Sequence, residues 1–185
     1  MCVGLGAAGR MPHMEHFRTE RLTARDWTVA DAPAAFAIYG RDEVMRWLGP
    51  QPRRVVPSLA QMRERIEAMA ERAAARPDYG LWPLEAQPSG ELVGAILLQP
   101  LPDSELVEIG WQLNPDHWGY GYATEAASGA VALAFGPRGL DRVVAVVDPD
   151  NLRSHAVCRR LGMTHRGQTS EYFGLTLELF ELARD

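Results

Sequence analysis

Between Glu108 and Ala126 the chain reads Glu-Ile-Gly-Trp-Gln-Leu-Asn-Pro-Asp-His-Trp-Gly-Tyr-Gly-Tyr-Ala-Thr-Glu-Ala: a strand-like run, a turn bearing Gly119 and Gly121, and the opening of a helix. Both glycines lack a Cβ, so the turn can take up unusual φ/ψ and bring its backbone N–H groups against a ligand. A helix beginning near Ala123 or Thr124 adds unpaired N–H donors and the positive end of its dipole. Together these features make a cradle for a phosphate or pyrophosphate that uses no basic side chain. Just upstream, strand alternation sets Glu108, Gly110 and Gln112 on one face and Val107, Ile109, Trp111 and Leu113 on the other.

Other elements must hold that segment in place. Arg21–Arg25 is compatible with a strand, and Asp31 can open a helix carrying Ala35, Ile38 and Tyr39 on neighbouring turns. Residues 41–57 read as a loop with apolar anchors, Trp47 among them. A second helix is expected over Ser58–Ala75, its stripe of Leu59, Met62, Ile66 and Met69 read as core packing. Tyr79–Glu85, Glu91–Leu98 and Leu106–Leu113 suggest a three-strand antiparallel meander. The pattern then turns helical, with Ala127, Val131, Ala134 and Phe135 on one face until Gly136-Pro137. Arg142–Val147 is a β-branched run typical of a buried strand, and Asp148-Pro-Asp-Asn151 breaks it. A short helix over Ser154–Leu161 ends at Gly162, and Tyr172–Leu182 should supply the last strands, with Gly174 at their turn.

Composition bounds the function. The 185 residues carry a net charge of −5 and a 46% hydrophobic content, enough for one soluble domain with a core and a poor match to a nucleic-acid binder. No lysine occurs, and no run of about twenty apolar residues exists to span a membrane. Cys2 and Cys158 have no metal-ligand spacing, so a reducing, cytoplasmic location is expected and no metal site. Residues 1–14 are read as a disordered N-terminal extension, with Met14 an alternative start, and residues 15–185 as a single domain.

Taken in order, Thr19-Glu-Arg-Leu22, Glu108-Ile-Gly110, Asn114-Pro115, Trp118-Gly-Tyr-Gly-Tyr-Ala-Thr-Glu-Ala126, Asp148-Pro-Asp-Asn151 and Leu161-Gly-Met163 closely resemble the GNAT superfamily of acetyl-CoA-dependent N-acyltransferases, and within it the RimJ/RimL-like branch. The resemblance runs from about Phe17 to the C-terminus. It implies a mixed α/β fold, a mostly antiparallel twisted sheet of about six or seven strands flanked by about four helices. It makes residues 118–123 the pyrophosphate loop, with Trp118 where the wider superfamily prefers Gln or Arg. A Rossmann dinucleotide site competes for the same glycines, but Glu125 and Ala126 stand where its third glycine would be sought, and repeated βαβ units are missing.

Acetyl transfer from a thioester to an amine needs a free amine, a stabilised oxyanion and a proton for the departing thiolate. Glu108 is a candidate base or water-positioning group, or else one side of an ion pair. Glu171 resembles the amine-activating glutamate of RimL-like enzymes, or is an ordinary strand-end carboxylate. Where many relatives carry an acidic tyrosine this chain has Cys158, a thiol suited to packing. Ser154 either relays a proton to the coenzyme sulfur or caps its helix, and Asn151 either contacts the pantetheine arm or closes an Asx turn.

By resemblance, Gln112, Leu113 and Asn114 pair with pantetheine, while Trp118, Gly119, Tyr120, Gly121, Tyr122, Ala123 and Thr124 hold the pyrophosphate. His117, Arg153 and Arg159 could reach outer phosphates or simply be solvated. His155 and His165 read as surface or packing residues. Trp47, Trp82 and Trp111 could line an acceptor pocket, Trp47 foremost.

The expected reaction is direct attack of a primary amine on acetyl-CoA. The acceptor is a protein N-terminal α-amine or a small molecule such as an antibiotic or polyamine, and the net negative charge suits a cation. A non-catalytic acyl-CoA-binding protein is the alternative class. The family resemblance is compatible with a homodimer.

Overall fold

A computed structural model describes residues 14–184; the expected N-terminal extension lies outside these, Met14 excepted. The strands are β1 (Glu15–Arg18), β2 (Leu22–Arg25), β3 (Gly80–Ala86), β4 (Glu91–Pro100), β5 (Val107–Leu113), β6 (Arg142–Val147), β7 (Thr164–Thr169) and β8 (Leu177–Ala183). They form one sheet in the order β1-β2-β3-β4-β5-β6-β8-β7. Every neighbouring pair is antiparallel except β5 and β6.

The helices are α1 (Ala32–Tyr39), α2 (Asp42–Met45), α3 (Leu59–Ala75), α4 (Tyr122–Phe135) and α5 (Leu152–Arg160). The sheet divides the core in two. On one side the alanine face of α4 (Ala126, Ala127, Ala130, Ala134) meets Ile109 and Val143, with Cys158 of α5 beside them. On the other, Ile38 and Tyr39 of α1 and Met62 and Ile66 of α3 pack on Leu92 and Ala95 of β4. Because Glu108, Gly110 and Gln112 alternate with the residues facing α4, they belong to the second side. Tyr39 bears this out by donating its hydroxyl to Gln112 Oε1 at 2.6 Å.

The sheet is larger than the sequence pattern implies. β1 pairs with β2, and β7, which is polar along its length, pairs with β8, so the final hairpin is β7–β8 and not a pair within 172–182. α2 is a single turn inside the expected 41–57 loop. Arg25 ties the first elements together, bonding Asp31 at 2.8 Å and Glu85 at 2.8 Å in a largely buried cluster.

Candidate active site

β5 and β6 part almost as soon as they meet. Their parallel register consists of Glu108 opposite Val144, while β5 stays paired to β4 along its whole length. The Asn114 amide donates to Val93 at 2.9 Å. Alternation in that antiparallel ladder therefore turns the Trp111 and Leu113 amides toward β6, where no strand partner meets them. The Leu113 carbonyl is already taken by Trp118 Nε1 at 3.1 Å. A slot with an open strand edge results, the kind of edge that an amide-bearing chain can join as an added strand.

The slot leads to the glycine turn. Gly119 and Gly121 have φ of 86° and 83°, the left-handed region that disfavours a side chain. α4 starts at Tyr122, one or two residues ahead of the expected Ala123 or Thr124, with Gly121 as its N-cap and no side chain capping it. Its first amide bond back to the turn is Glu125 N to Gly121 O at 3.1 Å. Among the described residues the amides of Gly119 to Thr124 meet no acceptor, so a run of N–H donors is left for an anion at a helix N-terminus.

Side chains hold the turn from behind. Arg21 bonds Glu125 through Nε at 2.7 Å and the Tyr120 carbonyl through Nη1 at 3.1 Å, and its guanidinium lies 4.9 Å from the Tyr122 ring centre. Glu125 also accepts from Thr19 Oγ1 at 2.6 Å and the Arg21 amide at 2.8 Å. Burial pulls the Glu125 carboxyl upward, but these bonds outweigh it and hold it below its ordinary range. Trp118 braces the turn to β5 through its Leu113 bond, and Arg153 lies over its ring at 4.1 Å.

Glu108 sits at the closed end of the slot, on the α1/α3 side. It is 8% exposed, and among the described residues nothing hydrogen-bonds its carboxyl. Loss of hydration therefore acts unopposed and pushes its pKa up to about 8. Such a group exchanges protons near neutrality, the property required of a general base.

The Asp148–Ser154 segment settles one sequence alternative. Asn151 caps α5, accepting from the Ser154 amide at 3.3 Å. The cap is therefore Asn151, and the Ser154 hydroxyl is left without a protein partner among the described residues. Cys158 is fully buried, and burial drives its thiol up to about 12, so it is packing, not an acid. Arg53 spans the cleft's upper rim, bonding Asp148 at 2.7 Å and the Arg46 carbonyl at 2.6 Å, which ties the loop after α2 to the end of β6.

One cleft of about 1970 Å³ joins these parts: Glu108, Gln112, the glycine turn, Asn151, Ser154 and Trp47 all line it. Trp111 lines it too, whereas Trp82 is buried in the core. Asn114 is buried and starts a 3-10 turn, accepting from the Asp116 amide at 3.2 Å. Glu171 lies on the exposed β7–β8 connection, outside the lining. His155 bonds the Asp148 carbonyl at 3.2 Å and His165 bonds Glu178 at 2.5 Å; His117 and Arg153 line the cleft and Arg159 does not. Among the described residues no group of His, Cys, Asp or Glu could hold a metal ion. Sequence reasoning missed Arg21, Thr19 and Arg53 as site residues, since their partners lie far away in the chain.

Residues 21–164 match the family model described as an acetyltransferase (GNAT) domain. The chain belongs to the GNAT acetyltransferases. It is similar to the uncharacterized N-acetyltransferase YoaA of Bacillus subtilis, 33% identical over 156 residues that cover 83% of this chain and 85% of the other. A GNAT-family acetyltransferase of Bacillus anthracis superposes with a TM-score of 0.76 at 23% identity, over 90% of this chain and 97% of that one. RimL, a ribosomal L7/L12 alpha-N-protein acetyltransferase solved with coenzyme A, superposes at 0.73 with 18% identity, over 90% and 96%. The protein is thus an acyltransferase enzyme of a family that uses acetyl-CoA, and no helix among the described residues is long and apolar enough to cross a membrane.

Proposed function

We propose that this enzyme acetylates an α-amine, such as a protein N-terminus, by direct attack on acetyl-CoA with Glu108 as the base. One observation carries the reading. Glu108 is desolvated, unpartnered and turned into the cleft, with a pKa pushed up to about 8. A peptide α-amine titrates near ~7.7–8.0 and a lysine amine near ~10.4, so the matched proton transfer is the one from an α-amine. RimL, named for α-N-protein acetylation, supports the same acceptor class.

The amides of residues 119–124 hold the pyrophosphate, and the open edge at Trp111 and Leu113 aligns the pantetheine arm. Attack by the amine nitrogen forms the C–N bond and a tetrahedral oxyanion while Glu108 takes the amine proton. Collapse breaks the C–S bond. The Ser154 hydroxyl then gives its proton to the leaving thiolate and recovers one from water. Glu108 is preferred to Glu171 because only Glu108 lines the cleft. The unpaired Cys158 is in keeping with a cytoplasmic setting.

Thiol release from acetyl-CoA in the presence of alanyl peptides tests the reading, with Nα-blocked peptides bearing a free lysine as the contrast. Release with the first set and loss of it in Glu108→Gln is the expected result. Equal rates for both peptide sets, or a Glu108→Gln variant with full activity, would refute it.

A further inference from the structure

We infer that the acceptor carries an acidic group near its amine, bound by the arginines that α3 turns into the cleft. This rests on the proposed α-amine acetylation and adds the chemistry of the acceptor's other end.

α3 is rich in both charge signs, and the fold sorts them. Its cleft face presents Arg65, Met69, Arg72, Ala73 and Arg76 just beyond its end, at helical spacing, while Glu64, Glu67 and Glu71, and of its arginines Arg63, are absent from the lining. Ten other arginines are paired. Arg18, Arg21, Arg25, Arg41, Arg46 and Arg53 all reach a carboxylate, as do Arg138, Arg142, Arg166 and Arg184. Arg65, Arg72 and Arg76 reach none among the described residues; nor do Arg54, Arg63 and Arg159, which lie outside the cleft lining. Arg65 lies over the Tyr39 ring at 5.0 Å, and Arg72 Nε bonds the Ala68 carbonyl at 3.1 Å, so both are held with guanidinium donors to spare.

A helix dipole accounts for cations in the last turn but not for Arg65 two turns earlier, nor for glutamates facing away. Among the described residues, none of the cleft's carboxylates bonds these arginines: Glu43 is on α2, Asp103 on the turn after β4, Glu108 on β5, Asp148 already bonded to Arg53, and Asp150 beside the α5 cap. Arg153 and Arg160, also without carboxylate partners, are on α5 across the slot, on the coenzyme's side.

Register places the α3 arginines on the acceptor's side. Gly80, four residues past Arg76, stands opposite Leu98, and Leu98 stands opposite Ile109, next to Glu108. The start of β3 therefore lies level with Glu108 and about two strand spacings away, roughly 10 Å, and the Tyr79 amide, bonding the Arg76 carbonyl at 3.0 Å, turns the end of α3 back next to it. Arg72 and Arg76, one turn apart, can together grip a carboxylate through paired N–H bonds while the amine meets Glu108. The acceptor this fits is an amine with an acid within about 10 Å, from the N-terminus of an acidic peptide or from a small amino acid. Local charge thus reverses the cationic preference suggested by the net charge of −5.

Two matched pairs test this: Ala-Glu-Glu-amide against Ala-Gln-Gln-amide for the peptide source, and L-alanine against L-alaninamide for the small one. Binding to the coenzyme A complex is read by calorimetry, and turnover by thiol release. The acidic member of at least one pair should bind about tenfold more tightly and show the higher kcat/KM. An Arg72→Gln/Arg76→Gln double variant should erase that preference with the KM for acetyl-CoA unchanged. Equal binding within both pairs, or a preference that survives the double variant, overturns the inference. An acid preference in binding without thiol release from any amine supports it and refutes the proposed acetyl transfer.

Discussion

Glu108→Gln should change the pH dependence of stability in a direction opposite to that of most carboxylates. In the unfolded chain the group titrates near 4.5 and in the folded protein near 8. The folded state thus binds more protons between those values. Its neutral form stabilises fully below about 4.5, and the advantage is lost as pH rises through about 8. At about 1.4 kcal/mol per pH unit, the whole span is worth about 5 kcal/mol, of which about 2–3 kcal/mol falls between pH 6 and 8. Glutamine has the same shape, stays neutral, and escapes the loss.

Urea unfolding of both proteins from pH 5 to 9 at constant ionic strength measures the effect. The variant's stability relative to wild type should climb across this range and level off above pH 8. Parallel curves would show that Glu108 ionises as it does in water, and the argument for an unopposed desolvated base would fall. In the same variant, acetyl-CoA affinity should stay within about twofold while turnover drops by about 10²-fold or more.

Gly121→Asp forces a side chain onto φ of 83° and sets its carboxylate against Arg21, whose Nη2 lies 3.6 Å from the added Cβ, so it strains the turn and competes with Glu125 for its brace; calorimetry should show acetyl-CoA binding weakened by about 10²-fold, and an unchanged affinity would sink the turn's assignment. Arg21→Ala removes the grip on Glu125 and Tyr120 and should raise the KM for acetyl-CoA about tenfold with kcat little altered. Asn151→Ala should cost about 1 kcal/mol through the lost helix cap. Ser154→Ala should keep stability within about 0.5 kcal/mol of wild type yet lower kcat by about tenfold or more, and a variant of full activity would remove Ser154 from the proton path. Arg25→Ala removes the guanidinium that bonds both Asp31 and Glu85 in a largely buried cluster and should lower unfolding stability by about 3 kcal/mol, seen as a reduced urea midpoint.

What could be read from the chain alone followed from local physics. The paired glycines, the β-branched run at 142–147 and the apolar stripe of α3 each declare their element within a few residues. β7 declares nothing: Thr164-His-Arg-Gly-Gln-Thr169 has no apolar alternation and becomes a strand through its ladder with β8. Ser154 and Asn151 are both good caps by residue type, and the choice between them depends on where β6 ends, which only the fold fixes. The Arg21 to Glu125 bond joins residues 104 apart. Such a brace leaves no local mark, although Thr19-Glu-Arg-Leu22 lay in plain view as a family resemblance.

The parting of β5 and β6 links the base to the coenzyme slot. Glu108 pairs with Val144 at the point where the ladder ends. Beyond that point the strands part and the Trp111 and Leu113 amides are open to a ligand, while the Glu108 carboxyl stays buried on the α1/α3 face of the sheet. A longer ladder would fill the slot, and a loss of packing on the α1/α3 face would let water reach Glu108 and return its pKa toward the ordinary range. The position of this single bridge therefore decides whether a thioester can lie beside the carboxylate, and burial on the sheet face decides whether that carboxylate can act as a base near pH 8.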